Sequence, residues 1–288
     1  MRSDQTFGID RPVRSIEPSP ANRRYTWPML TNRSAPQARV VPILMVANVR
    51  AAVTWCARVF GFVEHVRTSN GKHVQLGLPG GGELLIGEVR PRPSPPSDLL
   101  WTAIMIKVDD PTATRARAAD NYATVLDEMI DDIFGHRWVV MRPGQLWANR
   151  GEPPAHVVPA VWVTNVRAAV DWYTRVFGFV GDVQAPDGAH AELDLPGGGA
   201  MVVGEVHPVA KVSSDRSPEI LLKVDDAAAT LACAVANGAT VVFDVRDIEA
   251  GERQATIDDV FGHRWMLTQT LADVAPEQWG GRTITPRK

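Results

Sequence analysis

VVPAVWVTNVRAAVDWYTRVFGFV, residues 157–180, decides the fold, because the chain carries nearly the same stretch a second time. The twin is VVPILMVANVRAAVTWCARVFGFV, residues 40–63. Further matching pairs follow in the same order, namely LPGGGELLIGEV (78–89) with LPGGGAMVVGEV (195–206), IKVDD (106–110) with LKVDD (222–226), and DDIFGHRWVV (131–140) with DDVFGHRWML (258–267). The chain is therefore a tandem repeat of one structural unit.

The second copy shows the order of elements within the unit. VVPAVWV is short, apolar and β-branched, which is typical of a strand. Asn165 then stands at a helix N-cap position, and Gly178 follows the helical spacing where a left-handed glycine ends a helix. Three short strands come next, and EILLKV (219–224) with the cap candidate Asp226 starts the same order again. The pattern predicts an α+β fold of four strand–helix–strand–strand–strand (βαβββ) modules.

The repeat also predicts the domain boundaries. The first copy has only VLDEMIDD (125–132) where the second has VVFDVRDIEAGERQATIDD (241–259), so its last module is predicted to be truncated. Pro- and Gly-rich composition marks the linker, and the first residues lack any periodicity. The predicted division is a disordered extension over 1–39, a first domain over 40–143, a linker over 144–156, a second domain over 157–279 and a tail over 280–288.

Composition excludes several classes of partner. The net charge is −3 and the pI is about 6.2, so the basic surface that nucleic acids or membranes require is not expected. No apolar run approaches the roughly 18 residues of a membrane span, and the first residues do not resemble a secretory signal. Cys56 and Cys233 have no neighbouring cysteine. We therefore expect reduced thiols in a cytoplasmic protein.

The combined motifs resemble the vicinal oxygen chelate superfamily, the glyoxalase, bleomycin-resistance and extradiol dioxygenase group. The resemblance covers residues 40–279 and rests on N-V-R-A-A-V-x-W-x-x-R-V-F-G-F, K-V-D-D and D-x-F-G-H-R-W. It implies two tandem domains in which paired modules curl their sheets around a ligand cleft, with helices outside. HAEL (190–193) and DVAPEQW (273–279) look like the metal-free branch close to bleomycin-resistance proteins.

The resemblance also implies where a metal ion would be bound in metal-dependent members. The ligand positions fall on Val41, Ala103 and Val139 in the first copy and on Val158, Glu219 and Met266 in the second. Divalent cations need imidazole or oxygen donors, which only Glu219 supplies. Glu88 and Glu205 lie near a fourth ligand position. We therefore expect no metal site and no other cofactor.

Side-chain alternation along the last strand of each copy predicts a structural role for the two histidines. If Val139 and Met266 face the cleft, His136 and His263 face the helices instead. A histidine beside a tryptophan in such a position is typical of a packed, hydrogen-bonded residue.

The same alternation predicts the lining of the cleft. Tryptophan offers stacking area and arginine offers a fork for a carboxylate, which together suit a flat apolar ligand with an anionic or carbonyl group. The predicted ligand-binding residues are Val158, Ala160, Trp162, Leu221, Lys223, Arg264 and Met266. If the protein is an enzyme instead, the candidate catalytic residues are Glu219, His190 and Glu192 as general bases and Arg264 as the group that stabilises an enolate.

Two functions remain open on the sequence alone. The first is metal-independent binding and sequestration of a small aromatic or amphipathic metabolite or antibiotic. The second is a lyase, isomerase, cyclase or dioxygenase of the same superfamily acting on a small carbonyl or aromatic substrate. The modules pair either within or between copies, which gives a monomer with an internal pseudo-dimer or a homodimer.

Overall fold

The structure is a computed structural model that describes residues 30–89, 102–143, 156–184, 188–206 and 217–285. Residues 1–29 of the predicted extension, residues 144–155 of the predicted linker and the last three residues of the predicted tail lie outside this part. None of the described helices is both long and apolar enough to cross a membrane.

The described elements follow the predicted order of four modules. The first module contains β1 (Val40–Val46), α1 (Val49–Phe60), β2 (Val63–Thr68), β3 (His73–Gly77) and β4 (Glu83–Glu88). The second contains β5 (Thr102–Lys107), α2 (Pro111–Asp120), β6 (Thr124–Leu126), β7 (Met129–Asp131) and β8 (Arg137–Met141). The third contains β9 (Val157–Val163), α3 (Val166–Phe177), β10 (Val180–Gln184), β11 (His190–Asp194) and β12 (Ala200–Glu205). The fourth contains β13 (Glu219–Lys223), α4 (Ala227–Ala236), β14 (Thr240–Ile248), β15 (Glu252–Asp258) and β16 (Arg264–Thr270), followed by a short 3₁₀-helix (Pro276–Trp279) and β17 (Gly281–Thr283).

The helix boundaries are set by the residues that the sequence indicates. The Asn165 side chain accepts a hydrogen bond from the Ala168 backbone N–H, which caps α3. Gly178 ends the same helix with φ 76°, a left-handed conformation that favours glycine. Asp226 caps α4 through the Ala228 and Ala229 N–H groups. The predicted α+β class and its four modules are confirmed.

The modules pair between the copies, not within them. Sheet A has the strand order β14-β15-β16-β13-β1-β4-β3-β2-β17 and joins the first module to the fourth. Sheet B has the order β10-β11-β12-β9-β5-β8-β7-β6 and joins the third module to the second. The central joints are antiparallel, with Val41 opposite Leu221 in sheet A and Met105 opposite Val158 in sheet B. This pairing gives two mixed sheets, and each contains strands of both copies.

The helix-side cores follow the sequence copies instead. One buried cluster lies between α3, α4 and the strands of the second copy, and another lies between α1, α2 and the strands of the first. Only the first residues of β1 and β9 pack into the core of the other copy. Val40 packs into the core of the second copy, and Val157 packs into the core of the first. Each copy thus buries its own helices but completes its sheet with strands of the other.

The triple-glycine turns permit the close approach of Val40 and Val157 to the other copy. In the second copy the three glycines have φ values of 93°, 109° and 103°, which favour glycine at each position. A Cβ on Gly199 would lie 2.8 Å from Cγ2 and 3.3 Å from the backbone N of Val40, which begins the other copy. A Cβ on Gly82 would meet Val157 in the same way, at 2.8 Å from Cγ2.

The segment that precedes β1 differs from the prediction. Residues 1–39 are predicted to be disordered, but the structure describes this segment from residue 30 and buries Asn32, Ser34 and Ala35. Residues 32–36, here called the N-terminal strap, contact the end of the chain, since Ser34 Oγ donates to Val274 O at 2.6 Å. Part of the predicted tail is also ordered, as β17 pairs with β2 at the edge of sheet A. These contacts involve polar side chains at isolated positions, which leave no periodic pattern in the sequence.

We predict that Gly199→Ala lowers the free energy of unfolding by about 1–3 kcal/mol more than Gly198→Ala does. Both substitutions place a side chain at positive φ, but a Cβ on Gly198 has no heavy atom within 4 Å, whereas one on Gly199 clashes with Val40. Urea unfolding of the two variants measures the difference. Equal losses would show that the close approach between the copies is unimportant for stability.

Candidate functional site

One face of sheet A forms the floor of a partly open cavity of about 710 Å³. This volume lies within the range of small-molecule sites, roughly 300–1,000 Å³. Strands of both copies form its floor, because β1 and β4 come from the first copy and β13 and β16 from the second. The apolar floor residues are Ile43, Met45, Leu85, Leu221 and Met266.

Unequal hairpins make the two sheets different. The hairpin of β14 and β15 in sheet A has strands of nine and seven residues, and it lines the cavity with Phe243 and Ile248. At about 3.3 Å per residue, β14 extends roughly 30 Å. The corresponding β6 and β7 of sheet B have three residues each, so they reach about 10 Å. The predicted truncation of the first copy is therefore a shortened hairpin that cannot form an equal wall.

The two ends of the described chain line the cavity of sheet A. Ser34, Ala35 and Pro36 of the N-terminal strap line it, and so does Trp279 of the 3₁₀-helix. Trp279 Nε1 donates to Ser34 Oγ at 2.6 Å, which holds the two segments together. The strap is also bound to the sheet, since Gln75 Nε2 donates to Ser34 O at 2.5 Å.

The predicted ligand-binding residues fall on both sheets. Three of them line the cavity, namely Leu221, Arg264 and Met266, and so does the catalytic candidate Glu219. Lys223 lies on β13, is 4% exposed and is not part of the cavity wall. The other three lie on β9 in sheet B, where they form an apolar surface with Met105 and Val202, namely Val158, Ala160 and Trp162. The structure does not bring these two sets together, because β9 and β13 belong to different sheets.

The remaining catalytic candidates also lie on sheet B. His190 and Glu192 are on β11, on the face opposite the core residues Ala191 and Leu193. The His190 ring meets the Trp162 ring edge-on at a centroid distance of 5.8 Å. These two candidate bases are thus separated from Arg264, the residue with which one of them would have to act.

Arg264 is paired in the folded protein. Its Nε and Nη2 donate to the two carboxylate oxygens of Asp258, each at 2.7 Å. The hydrogen bonds that Arg264 donates to Asp258 and the charges of Asp258 and Glu219 raise the pKa of Arg264, against the opposite effect of burial. One fork of the guanidinium is therefore occupied before any ligand arrives. Glu219 shares the cavity with Arg264 and is 9% exposed.

Sequence reasoning missed two polar residues of this site. Glu252 lines the cavity and is 3% exposed, and its carboxylate accepts hydrogen bonds from Thr268 and Thr270 Oγ1 at 2.9 Å. Asn32 donates from Nδ2 to Glu252 Oε1 at 2.6 Å and to Ala250 O at 2.7 Å. Glu252 lies in the segment that is longer in the second copy, and this difference in length could have indicated it as a site residue. Asn32 had no such signal, because it lies outside every repeat.

The chemistry of the donors does not fit a divalent metal ion in sheet A. The superfamily positions that the sheet brings together hold Val41, Glu219 and Met266, so one carboxylate is the sole oxygen donor among them. Glu88 is bound to Lys72, and Glu205 is exposed. Within the described ranges, no group of three or more His, Cys, Asp or Glu residues is arranged to hold a metal ion.

The two histidines of the FGHRW motif are buried under the helices, as predicted. His136 is 0% and His263 is 3% exposed. His263 Nδ1 lies 3.4 Å from Asp259 Oδ2 and 3.3 Å from the Tyr173 hydroxyl. Asp259 also accepts hydrogen bonds from Tyr173 Oη at 2.8 Å and Trp265 Nε1 at 2.9 Å. The histidine is part of a buried polar network that joins α3 to β16.

The network in the first copy lacks one member. Cys56 occupies the position of Tyr173, and the two ring nitrogens of His136 have no hydrogen-bond partner among the described residues, although Nδ1 lies 3.3 Å from Asp132 Oδ2. Burial, followed by the charge of Asp132, raises the pKa of the Cys56 thiol well above its ordinary value. A thiol in this state is a poor nucleophile, so Cys56 is not a catalytic candidate.

Comparison with known proteins agrees with the fold. Residues 154–267 match the model of the Glyoxalase/Bleomycin resistance protein/Dioxygenase superfamily. The uncharacterized protein Rv0887c of Mycobacterium tuberculosis is 33% identical over 127 residues, which are 40% of this chain and 75% of that protein. The uncharacterized protein Mb0911c of Mycobacterium bovis has the same identity over 84% of its length. The chain belongs to this superfamily.

Glyoxalase I from Zea mays is similar across most of the chain. Its crystal structure superposes with a TM-score of 0.61, covers 81% of this chain and 92% of the maize chain, and has 12% sequence identity. At that identity the likeness extends to the fold alone. The overall fold is therefore similar to that of the maize protein, and the site chemistry of this chain is a separate question.

We predict that Asp259→Asn lowers the free energy of unfolding by about 3 kcal/mol at pH 7, because it removes the charge that His263, Tyr173 and Trp265 surround. Burial by itself raises the pKa of Asp259, but the charge of His263 and the hydrogen bonds from His263 and Trp265 outweigh it, so the pKa is lowered. The stabilisation is therefore present above the unfolded pKa of about 4 and is lost as the pH falls through the lower folded pKa.

Urea unfolding between pH 7 and pH 3 measures this contribution. The difference between wild type and Asp259→Asn should shrink as the pH falls below about 4. Asp273→Asn is the control, since Asp273 is paired with Arg33 at the surface and contributes little. A difference that stays constant with pH would contradict the assignment.

Proposed function

We propose that the protein binds a small aromatic or amphipathic molecule in the cavity of sheet A and sequesters it without a metal ion. The observation that carries this proposal is the cavity of about 710 Å³, with an apolar floor and a few polar groups at its side. Such a site gains affinity from burying apolar ligand surface and orientation from its polar groups. A metabolite or an antibiotic of this chemical class would fit, as in the metal-free bleomycin-resistance branch.

The shape of the site supports a single ligand per chain. The long hairpin, the N-terminal strap and Trp279 line the cavity of sheet A, whereas the described residues of sheet B provide only the short hairpin at the corresponding edge. Each sheet draws its two modules from the same chain. We therefore propose a cytoplasmic monomer that holds one small molecule, with neither nucleic acid nor membrane as partner.

Enzymatic activity is the alternative, and one observation favours it. Glu219 and Arg264 face the same cavity, which places a candidate general base beside a candidate for enolate stabilisation. A lyase, isomerase or cyclase acting on a small carbonyl compound would use this pair. Conversion of a bound ligand that stops in Glu219→Gln, with its affinity unchanged, would support the enzyme over the binding protein.

We predict that Phe243→Ala weakens ligand binding about tenfold or more, because it removes aromatic contact area from the cavity wall. Phe243 is 45% exposed without a ligand, so the melting temperature should change little. Trp162→Ala is the matched control on sheet B and should leave the affinity unchanged. Isothermal titration with the same ligand measures both. The opposite result, a loss in Trp162→Ala alone, would assign the ligand to sheet B.

We predict that the purified protein carries less than about 0.1 equivalent of transition metal and that added Ni, Zn, Mn or Fe leaves its melting temperature unchanged, because Glu219 is a lone donor among the superfamily's ligand positions. Elemental analysis and thermal unfolding test this. One tightly held ion per chain would move the protein to the metal-dependent members.

A further inference from the structure

The charged groups of the cavity in sheet A indicate the class of ligand, provided that the proposed binding function is correct. Arg264, the buried cation of the wall, already forms a bidentate hydrogen bond with Asp258. Arg246 is exposed at the rim, where its guanidinium lies 5.5 Å from the centroid of the Phe243 ring. Positive charge in the cavity is thus either paired or placed at the solvent.

Glu252 has a different environment. It is 3% exposed, lines the cavity and accepts three hydrogen bonds, from Asn32, Thr268 and Thr270. All three donors are neutral, and no cation lies within ion-pair distance of Glu252 among the described residues. A carboxylate offers about four acceptor positions, so one more donor can be accommodated. Because Glu252 is buried, its attraction to a cationic donor is stronger than that of a carboxylate at the surface.

Asn32 fixes this carboxylate in position. Its amide uses both donors, on Glu252 Oε1 and Ala250 O, and its Oδ1 accepts from the backbone N–H groups of Ser34 at 3.0 Å and Val274 at 3.1 Å. Asn32 is 0% exposed. The N-terminal strap, the turn between β14 and β15 and the end of the chain therefore meet at one residue, which holds Glu252 against the cavity before a ligand binds.

Aromatic groups lie in the same wall. Phe243 and Trp279 both line the cavity, and aromatic faces attract cations as well as flat apolar groups. An anionic ligand would instead meet Glu252 and Glu219, two carboxylates, with the Arg264 fork already occupied.

We propose that the cavity selects flat apolar ligands that carry a protonated amine, and that the amine donates to Glu252. Arg264 then serves to hold Asp258 and the strand pair β15–β16, and not to bind a ligand carboxylate.

The test is isothermal titration of the full-length protein with three probes of equal ring system, 2-naphthylmethylamine, 2-naphthylmethanol and 2-naphthoate. We expect the amine to bind about tenfold more tightly than the alcohol, and the carboxylate most weakly, because a charge-assisted hydrogen bond is stronger than a neutral one. Glu252→Gln should remove the preference for the amine over the alcohol. Glu249→Gln, which removes an exposed carboxylate at the rim of the same cavity, should retain it.

The outcomes separate this inference from the proposed function. Equal affinities for amine and alcohol in the wild type, or tightest binding of the carboxylate, would overturn the amine preference while leaving aromatic binding in place. Binding of none of the three probes would overturn the proposed function as well. If Glu252→Gln does not fold, the wild-type order of the three affinities still decides. If Glu249→Gln loses the preference for the amine equally, the preference comes from the overall negative charge of the cavity and not from a contact with Glu252.

Discussion

The antiparallel joints between β1 and β13 and between β5 and β9 are the interactions on which the rest of the structure depends. Each joins a strand of one copy to a strand of the other, in register over several residues. A single βαβββ module would leave its first strand unpaired on one side, and such an edge is costly to expose. Pairing between copies removes that edge in both sheets. It also places strands of both copies under one cavity.

Helix packing and sheet pairing divide the chain differently. The apolar faces of α1 and α2 are buried together in the first copy, and those of α3 and α4 in the second. The sheets connect the copies across these cores. Unfolding one copy would therefore expose a sheet edge of the other, so we expect the chain to unfold as a single cooperative unit.

The two sheets are built from similar copies, and the copies differ at the cavity of sheet A. The FGHRW motif, the capping residues and the triple-glycine turns are shared, and all of them serve folding. The differences lie at the walls, where the hairpin of β14 and β15 is long and both ends of the described chain line the cavity of sheet A. The copies also differ beneath the helices, where Cys56 of the first copy occupies the position of Tyr173 in the second. The cavity thus lies where the two copies differ.

The sequence by itself determined the elements, the caps, the inward and outward faces of the strands and the superfamily. These properties depend on local periodicity and on the conformations that Asn, Asp and Gly favour, which are legible in one chain. Only the tertiary structure decided which modules share a sheet. Because pairing within or between copies satisfies the same strand pattern, the residues Trp162 and Arg264 were assigned to one cleft and lie on two sheets. Asn32 and Glu252 were hidden for a related reason, since hydrogen bonds between residues 220 positions apart leave no trace in local sequence.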